Sequence, residues 1–176
     1  MKNTFIFLVV CLLCSVAAMS APPAAVPALN AEIRQLPSLT YLCLEGKGPY
    51  TRIPEVAKEF MGYFASSGAK AIDKELLIYW NSPLYVKPAE LRWDIGFPVN
   101  GGQGDTQRLK AKKFPYRKIA VATHVGPYYT TYLTINALYT WITKNGYKTV
   151  GGPCVERYID DPTSSIPDAQ RRSEER

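Results

Sequence analysis

The sequence predicts an α+β domain built from two strand-helix-strand-strand units in one sheet, with both helices on the same face. The first observation is the order of patterns between residues 118 and 161: an alternating apolar segment, a helical stripe, then a second β-prone segment. The second is that this order is repeated, because adding 78 to Gly48-Pro49-Tyr50 gives Gly126-Pro127-Tyr128, and Gly68 falls on Gly146. Two copies of so long a unit indicate internal pseudo-symmetry, since a solenoid needs three or more.

The first unit begins with an apolar strand over residues 39–45, after which Gly48-Pro49 turns the chain. Pro54 suits the first turn of a helix, and we expect that helix to span residues 54–67. Its apolar side chains recur at helical spacing and should form core: Val56, Ala57, Phe60, Met61 and Phe64. Two more strands are predicted over residues 76–80 and 91–99.

The second unit repeats this order, with a strand over residues 118–125, a helix over 130–144 and a strand over 154–159. That last strand carries one acid, Glu156, among β-prone and aromatic residues. The fourth strand should follow, but residues 168–176 contain no large apolar side chain. Two interpretations remain: a disordered or frayed polar tail, which the composition favours, or a polar edge strand that pairs through its backbone alone.

The N-terminal segment has the features of a secretory signal peptide over residues 1–20. Lys2 precedes a short apolar core at residues 5–16, and Ala18-Met19-Ser20 is a small-x-small cleavage pattern. Residues 21–36 are rich in Ala and Pro and are predicted to be a linker, which leaves residues 37–167 as the domain. We therefore expect a secreted or periplasmic protein with no stable membrane insertion after cleavage.

The charge of the chain is mildly basic. Loss of Lys2 from the 21 basic residues, against 15 acidic ones, would lower the formal net charge from +6 to +5. Basic side chains cluster between residues 108 and 118, and we interpret this segment as a solvated linker between the two units. The alternative is contact with nucleic acid or an anionic surface. Because export makes that role unsuitable, we expect no nucleic-acid partner.

Two cysteines, Cys43 and Cys154, remain after cleavage, each in a predicted strand of a different unit. An oxidising compartment would permit a disulfide, but both are equally compatible with single buried thiols, so their pairing stays open. With one histidine, His124, and no close cysteine pair, the mature chain has no metal-ligand spacing. We expect no cofactor, and we expect a monomer.

Four segments together resemble the GyrI-like family, which includes the effector-binding domains of AraC- and MerR-type regulators. They are residues 91–99 (LRWDIGFPV), 124–128 (HVGPY), 141–147 (WITKNGY) and 152–158 (GPCVERY). The resemblance implies an antiparallel sheet with a groove that binds small, often cationic or amphipathic molecules. It also implies that the family's ligand-contacting glutamate falls on Glu156. The signal peptide and the absence of a DNA-binding domain depart from the regulators, so transcription control is not implied.

The residue pattern supports a site at Glu156 independently of this resemblance. Glu156 and Tyr158 are two apart on one strand and therefore share a face. The 78-residue offset places Trp80 at the position of Tyr158, and we predict ligand contacts from Glu156, Tyr158, Trp80 and Trp93 on the sheet face that the helices leave free. A carboxylate among aromatic rings attracts a cation through charge pairing and cation–π contact. The competing interpretation has Glu156 exposed to solvent and both tryptophans in packing roles.

Three functions are compatible with these features. The favoured one is extracytoplasmic binding of a small cationic or amphipathic molecule, with Glu156 as the charged contact. The first alternative is a small-molecule hydrolase in which Glu156 is the general base, a role that requires a raised pKa in a dry site. The second is a haem or tetrapyrrole carrier, similar to the SOUL proteins that the resemblance also implies, with His124 as an axial ligand.

Overall fold

The structure, a computed structural model, describes residues 29–160 and 165–176, so the predicted signal peptide lies outside the described residues. Within them the chain forms eight strands and two helices. The strands are β1 Ala31–Gln35, β2 Thr40–Lys47, β3 Leu76–Tyr79, β4 Arg92–Val99, β5 Lys110–Lys113, β6 Lys118–Val125, β7 Cys154–Tyr158 and β8 Arg172–Glu175. The helices are α1 Ile53–Ser66 and α2 Thr131–Lys144, each preceded by a single 3-10 turn.

All eight strands belong to one antiparallel sheet in the order β1-β6-β8-β7-β3-β4-β2-β5. The two predicted units are β2-α1-β3-β4 and β6-α2-β7-β8, and they meet at the centre of the sheet, where β3 pairs with β7. This confirms the predicted fold class. Each unit also exchanges its preceding strand, because β1 pairs with β6 of the second unit and β5 pairs with β2 of the first.

Both helices cover the same face of the sheet. Phe60 of α1 packs with Leu77 of β3 in the larger apolar cluster. Thr131 of α2 contacts Glu156 of β7, which lies directly opposite Leu77 in the strand register. Residues opposite each other in an antiparallel pair point to the same face, so both helices lie on one face of the sheet. On that face α1 packs above β2 and β4, and α2 packs above β6 and β8.

Three segments are strands that the sequence analysis did not predict as strands. Residues 31–35 were assigned to the Ala/Pro-rich linker, but they form β1, and the basic segment between the units contains β5. The tail prediction was also wrong, because β8 lies inside the sheet between β6 and β7, with Ser173 and Glu175 fully buried. Backbone pairing on both sides of β8, and not apolar side chains, places this segment in the sheet.

In the part of the chain that the structure describes, no helix covers the other face of the sheet, but this face is not free. A second apolar cluster covers it, including Tyr41, Ile78 and Phe114. It also holds two equivalent ion pairs between a buried acid and a base from the exchanged strand. Asp94 of β4 accepts from Lys112 of β5 at 2.8 Å, and Glu174 of β8 accepts from Arg34 of β1.

The two cysteines lie on opposite faces. Cys43 belongs to the cluster on the face without helices. Cys154 is two residues from Glu156 on β7 and therefore faces the helices. Both thiols are free, which answers the question that the sequence left open.

Candidate functional site

The two units differ most in the row of side chains that crosses the middle of the sheet under the helices. In the strand register, the first unit places three apolar residues in this row and the second places alanine and two acids. The first row is Leu44, Ile95 and Leu77, and the second is Ala122, Glu175 and Glu156. The second unit thus lacks the core that fills the first, and it carries carboxylates where a core would be.

Glu156 is the member of this row next to Leu77 of the first unit, at the centre of the sheet, and is 5% exposed. Three hydroxyl groups donate to its carboxylate: Tyr158 at 2.7 Å and Tyr79 at 3.1 Å to Oε2, and Thr131 at 2.9 Å to Oε1. Within residues 29–160 and 165–176, no basic side chain forms a salt bridge with it. The carboxylate is therefore solvated by the protein, while its charge has no counter-ion from the described chain.

Four tyrosines surround this carboxylate in two equivalent pairs. Tyr79 packs edge-on against Tyr50, with ring centroids 4.9 Å apart, and Tyr158 packs in the same way against Tyr128, also at 4.9 Å. Burial, and then the Glu156 charge, raise the pKa of the Tyr79 and Tyr158 phenols well above the usual 10. Both phenols therefore stay protonated and act as donors across the physiological pH range.

Glu175 lies directly beside Glu156, on the neighbouring strand β8. Its side chain is completely buried, Oε1 accepts from Ser173 at 2.7 Å, and Oε2 has no hydrogen-bond partner among the described residues. Burial, and then the charge of Glu156, raise the pKa of Glu175 to about 8. The site therefore contains two adjacent acids, of which the sequence analysis identified one.

The structure brings only part of the predicted site together. Glu156 and Tyr158 share a face as predicted, but it is the face that the helices cover, whereas the sequence analysis expected the face that the helices leave free. The prediction that Trp80 shares a face with Glu156 is wrong, because Trp80 packs with the cluster on the opposite face and donates to Asp94 at 2.8 Å. Trp93 is on the same face as Glu156 but is fully buried in the core beneath α1.

A single residue of misalignment explains the error at Trp80. The offset between equivalent residues of the two units is 78 in β2 and β6. In β3 and β7 it is 79, so that Leu77 is equivalent to Glu156, which also lies opposite it in the sheet, and Tyr79 is equivalent to Tyr158. Since a shift of one residue moves a side chain to the opposite face of a strand, the wrong aromatic was chosen. The repeated spacing of Leu77 to Tyr79 and of Glu156 to Tyr158 could have identified Tyr79.

The haem alternative relied on His124, which is 6% exposed. Its Nδ1 is 2.8 Å from the Thr134 hydroxyl, and its Nε2 is 3.2 Å from the carbonyl oxygen of Pro127. Both ring nitrogens thus contact protein groups: Nδ1 contacts the first turn of α2, and Nε2 contacts the segment that leads into that helix. This arrangement fits a structural histidine and offers no free nitrogen to a metal.

A cavity of about 310 Å³ lies beneath the C-terminal half of α2. Its walls are mainly apolar and include Ala120, Ile135, Leu138, Ile142 and Cys154. Cys154 lies two residues from Glu156 on the same face of β7, although Glu156 itself does not line the cavity. An apolar space therefore adjoins the buried acids.

No helix within the described residues is long and apolar enough to cross a membrane.

The arrangement suits recognition of positive charge. An ionised carboxylate that is hydrogen-bonded but not ion-paired, in a site of low dielectric, attracts a cation more strongly than a surface carboxylate can. The surrounding tyrosine faces add cation–π attraction.

Residues 29–172 match the family model described as GyrI-like small molecule binding domain. No curated protein sequence matches the chain.

Several solved structures are similar to this one. The C-terminal domain of EcmrR superposes with a TM-score of 0.69 at 15% identity, over 84% of this chain and 95% of that chain. A hydrolase from Listeria innocua gives 0.60 at 14% identity, over 82% and 89%. SAV2435, solved with bound tetraphenylphosphonium, gives 0.57 at 11% identity, over 82% and 90%. At these identities the likeness shows a shared fold.

Proposed function

We propose that this chain, which belongs to the GyrI-like small-molecule-binding family, binds a lipophilic organic cation, with Glu156 as the charged contact. The observation that carries the proposal is a buried carboxylate with three hydroxyl donors, four surrounding tyrosines and no basic partner among the described residues. The similarly folded SAV2435 was solved with tetraphenylphosphonium, a cation of this class.

The energetics favour a ligand that delivers positive charge on an apolar body. Removing a carboxylate from water is costly, and the three hydroxyl groups offset only part of that cost. A bound cation supplies the missing charge, while its apolar part can extend towards the cavity beneath α2. A neutral ligand of the same shape gains the apolar contacts but not the charge pairing, so it should bind more weakly.

Export from the cytoplasm is the second part of the proposal. It is supported by the sequence of residues 1–20, with a basic start, a short apolar core and a small-x-small cleavage pattern. N-terminal sequencing of exported protein should begin at or near Ala21. Full-length protein stably held in a membrane fraction would contradict this part without affecting the binding proposal.

Isothermal titration with two ions of the same shape and opposite charge tests the binding proposal. Tetraphenylphosphonium should bind, whereas tetraphenylborate should bind far more weakly. Glu156→Gln keeps the shape of the side chain and removes its charge, so the affinity for tetraphenylphosphonium should fall about ten- to a hundredfold, as expected from roughly 1.5–3 kcal/mol for a charge-assisted contact.

Glu59→Gln is the matched control, because it removes one negative charge from the exposed surface of α1. That variant should bind tetraphenylphosphonium as the unmodified protein does. Equal affinity of Glu156→Gln and the unmodified protein for the cation would refute charge recognition by Glu156.

A further inference from the structure

Glu175 has the properties of an unused binding group. It occupies the position that Ile95 fills in the first unit, where an apolar side chain completes the core. Its side chain is fully buried, and Oε2 is the single unpartnered buried side-chain oxygen or nitrogen found in residues 29–160 and 165–176. A buried carboxyl oxygen without a partner costs stability, and a role in ligand binding would account for its retention.

The groups that face Glu175 are acids, weak acids and neutral donors. On β7 these groups are Glu156, which lies directly opposite Glu175, and the side chains of Cys154 and Tyr158. The charge of Glu175 adds to the burial that raises the pKa of both Cys154 and Tyr158. Ser173 donates to it within β8, and Glu174, next to it on that strand, points to the other face of the sheet.

The remaining neighbours of Glu175 within residues 29–160 and 165–176 supply no counter-ion. On β6 the nearest titratable group is His124, two residues from the Ala122 that pairs with Glu175. The one charged residue of α2, Lys144, is at its C-terminal end. Burial and the charge of Glu156 raise the pKa of Glu175 to about 8, so Glu175 holds its proton at neutral pH.

We propose that Glu175 is a second charge-recognising carboxylate of this site, and that the Glu156–Glu175 pair takes a dicationic organic ligand in exchange for its proton. This inference rests on the proposed function, since Glu156 must first recognise positive charge. The exchange is balanced: the pair enters with one negative charge and one proton, the dication binds, and the proton leaves to solvent. A monocation needs only the charge of Glu156 and displaces no proton.

The burial that raises the pKa of Glu175 to about 8 sets the pH range of this exchange. Below pH 8 the dication must displace a bound proton, so its affinity should rise about tenfold per pH unit up to that value and then level off. The affinity for a monocation of the same shape should change little over the same range.

Two permanently charged probes of nearly the same shape separate these cases: 1,1'-dimethyl-4,4'-bipyridinium, a dication, and 1-methyl-4-phenylpyridinium, a monocation. Neither probe titrates, so any pH dependence comes from the protein. Calorimetry at pH 7 in two buffers of different ionisation enthalpy should show about one proton released for the dication and none for the monocation. This measurement uses the unmodified protein and needs no variant.

Glu175→Gln should abolish the pH dependence and weaken the dication about ten- to a hundredfold at pH 8.5. At pH 7, where Glu175 is protonated, the monocation should keep its affinity in this variant. Near-ultraviolet circular dichroism checks that the variant is folded. Equal pH slopes for the two probes, or a slope that survives Glu175→Gln, would overturn the inference. So would failure of the dication to bind at pH 8.5 under conditions in which tetraphenylphosphonium binds.

The failure of the proposed function would look different. In that case Glu156→Gln would leave the affinity for tetraphenylphosphonium unchanged, whatever the behaviour of Glu175. If Glu156→Gln weakens the monocation and Glu175→Gln changes neither the proton release nor the preference, only the second carboxylate is refuted.

Discussion

Replacing Glu175 by Gln should make the ligand-free protein more stable, by an amount that depends on pH. Burial raises the pKa of Glu175 from the usual 4.5 to about 8, so the folded state binds its proton more tightly than the unfolded state does. For an acid with a raised folded pKa, the destabilisation is absent below pH 4.5, grows between pH 4.5 and 8, and is complete above pH 8.

The magnitude follows from the two pKa values. At pH 7 Glu175 lowers the free energy of unfolding by about 3 kcal/mol, because each pH unit above 4.5 contributes about 1.4 kcal/mol. At pH 5 the cost is below about 1 kcal/mol, and at pH 8.5 it reaches about 4–5 kcal/mol. Glu175→Gln removes this cost while preserving an oxygen that can accept from Ser173.

Urea denaturation of both proteins at pH 5, 7 and 8.5 gives the measurement. The gain in the free energy of unfolding should increase with pH in the order stated. The acids whose pKa is lowered by ion pairs, Asp73, Asp160 and Glu174, lose their stabilising contribution only as pH falls towards their ordinary values, below this range. A gain that is equal at all three pH values, or a loss of stability at pH 8.5, would refute the reasoning.

Three further predictions concern the fold. A Cβ on Gly46 would lie 2.4 Å from the Trp93 ring, so Gly46→Ala should lower the free energy of unfolding by about 1–3 kcal/mol. Gly62 lies in α1, and a Cβ there would have no neighbour within 4 Å, so Gly62→Ala should raise the free energy of unfolding by up to about 1 kcal/mol. Lys112→Met removes the counter-ion of the buried Asp94, which keeps its hydrogen bonds from Tyr41 and Trp80, and should lower the free energy of unfolding by about 3 kcal/mol in urea denaturation. Lys110→Met, at an exposed pair, should lower it by less than about 1 kcal/mol. Deleting β8 should abolish cooperative unfolding followed by circular dichroism, because it divides the sheet between β6 and β7; an unchanged melting temperature would contradict the strand order.

The sequence was sufficient for the elements with strong apolar periodicity. Both helices and the strands β2, β3, β4, β6 and β7 lie where the patterns predict them, within a few residues. The strands β1, β5 and β8 are short and polar, so neither alternation nor β propensity distinguishes them from loops. Long-range pairing determines them, helped by ion pairs such as Lys112 with Asp94 that cross between units, and no local pattern encodes such contacts.

The site was predictable in its central residue but not in its surroundings. Glu156 stood out because a carboxylate in the middle of a β-prone strand is unusual, and that signal is local. Tyr79 and Glu175 depended on the register of β7 with its two neighbours, because the offset between the units changes from 78 to 79 in β3 and β7 and to 80 in β4 and β8. Because the side-chain period of a strand is two, register must be known before faces can be assigned.

The comparison of the two units gives a physical reason for a candidate site in the second one. Duplication gives each helix the same place above the sheet, so the two helix-sheet interfaces began with the same geometry and could diverge in side chains alone. Where the first unit has Leu44 and Ile95, the second has Ala122 and Glu175. The second unit therefore has less apolar packing beneath its helix, but more space and a second carboxyl group. Losses of buried apolar volume of this size cost several kcal/mol in a core. The first unit, with its intact core of large apolar residues beneath α1, supplies the stability that lets the second carry two buried acids. Substitutions in the core under α1 should therefore reduce stability without altering ligand preference, and substitutions in the row under α2 should do the reverse.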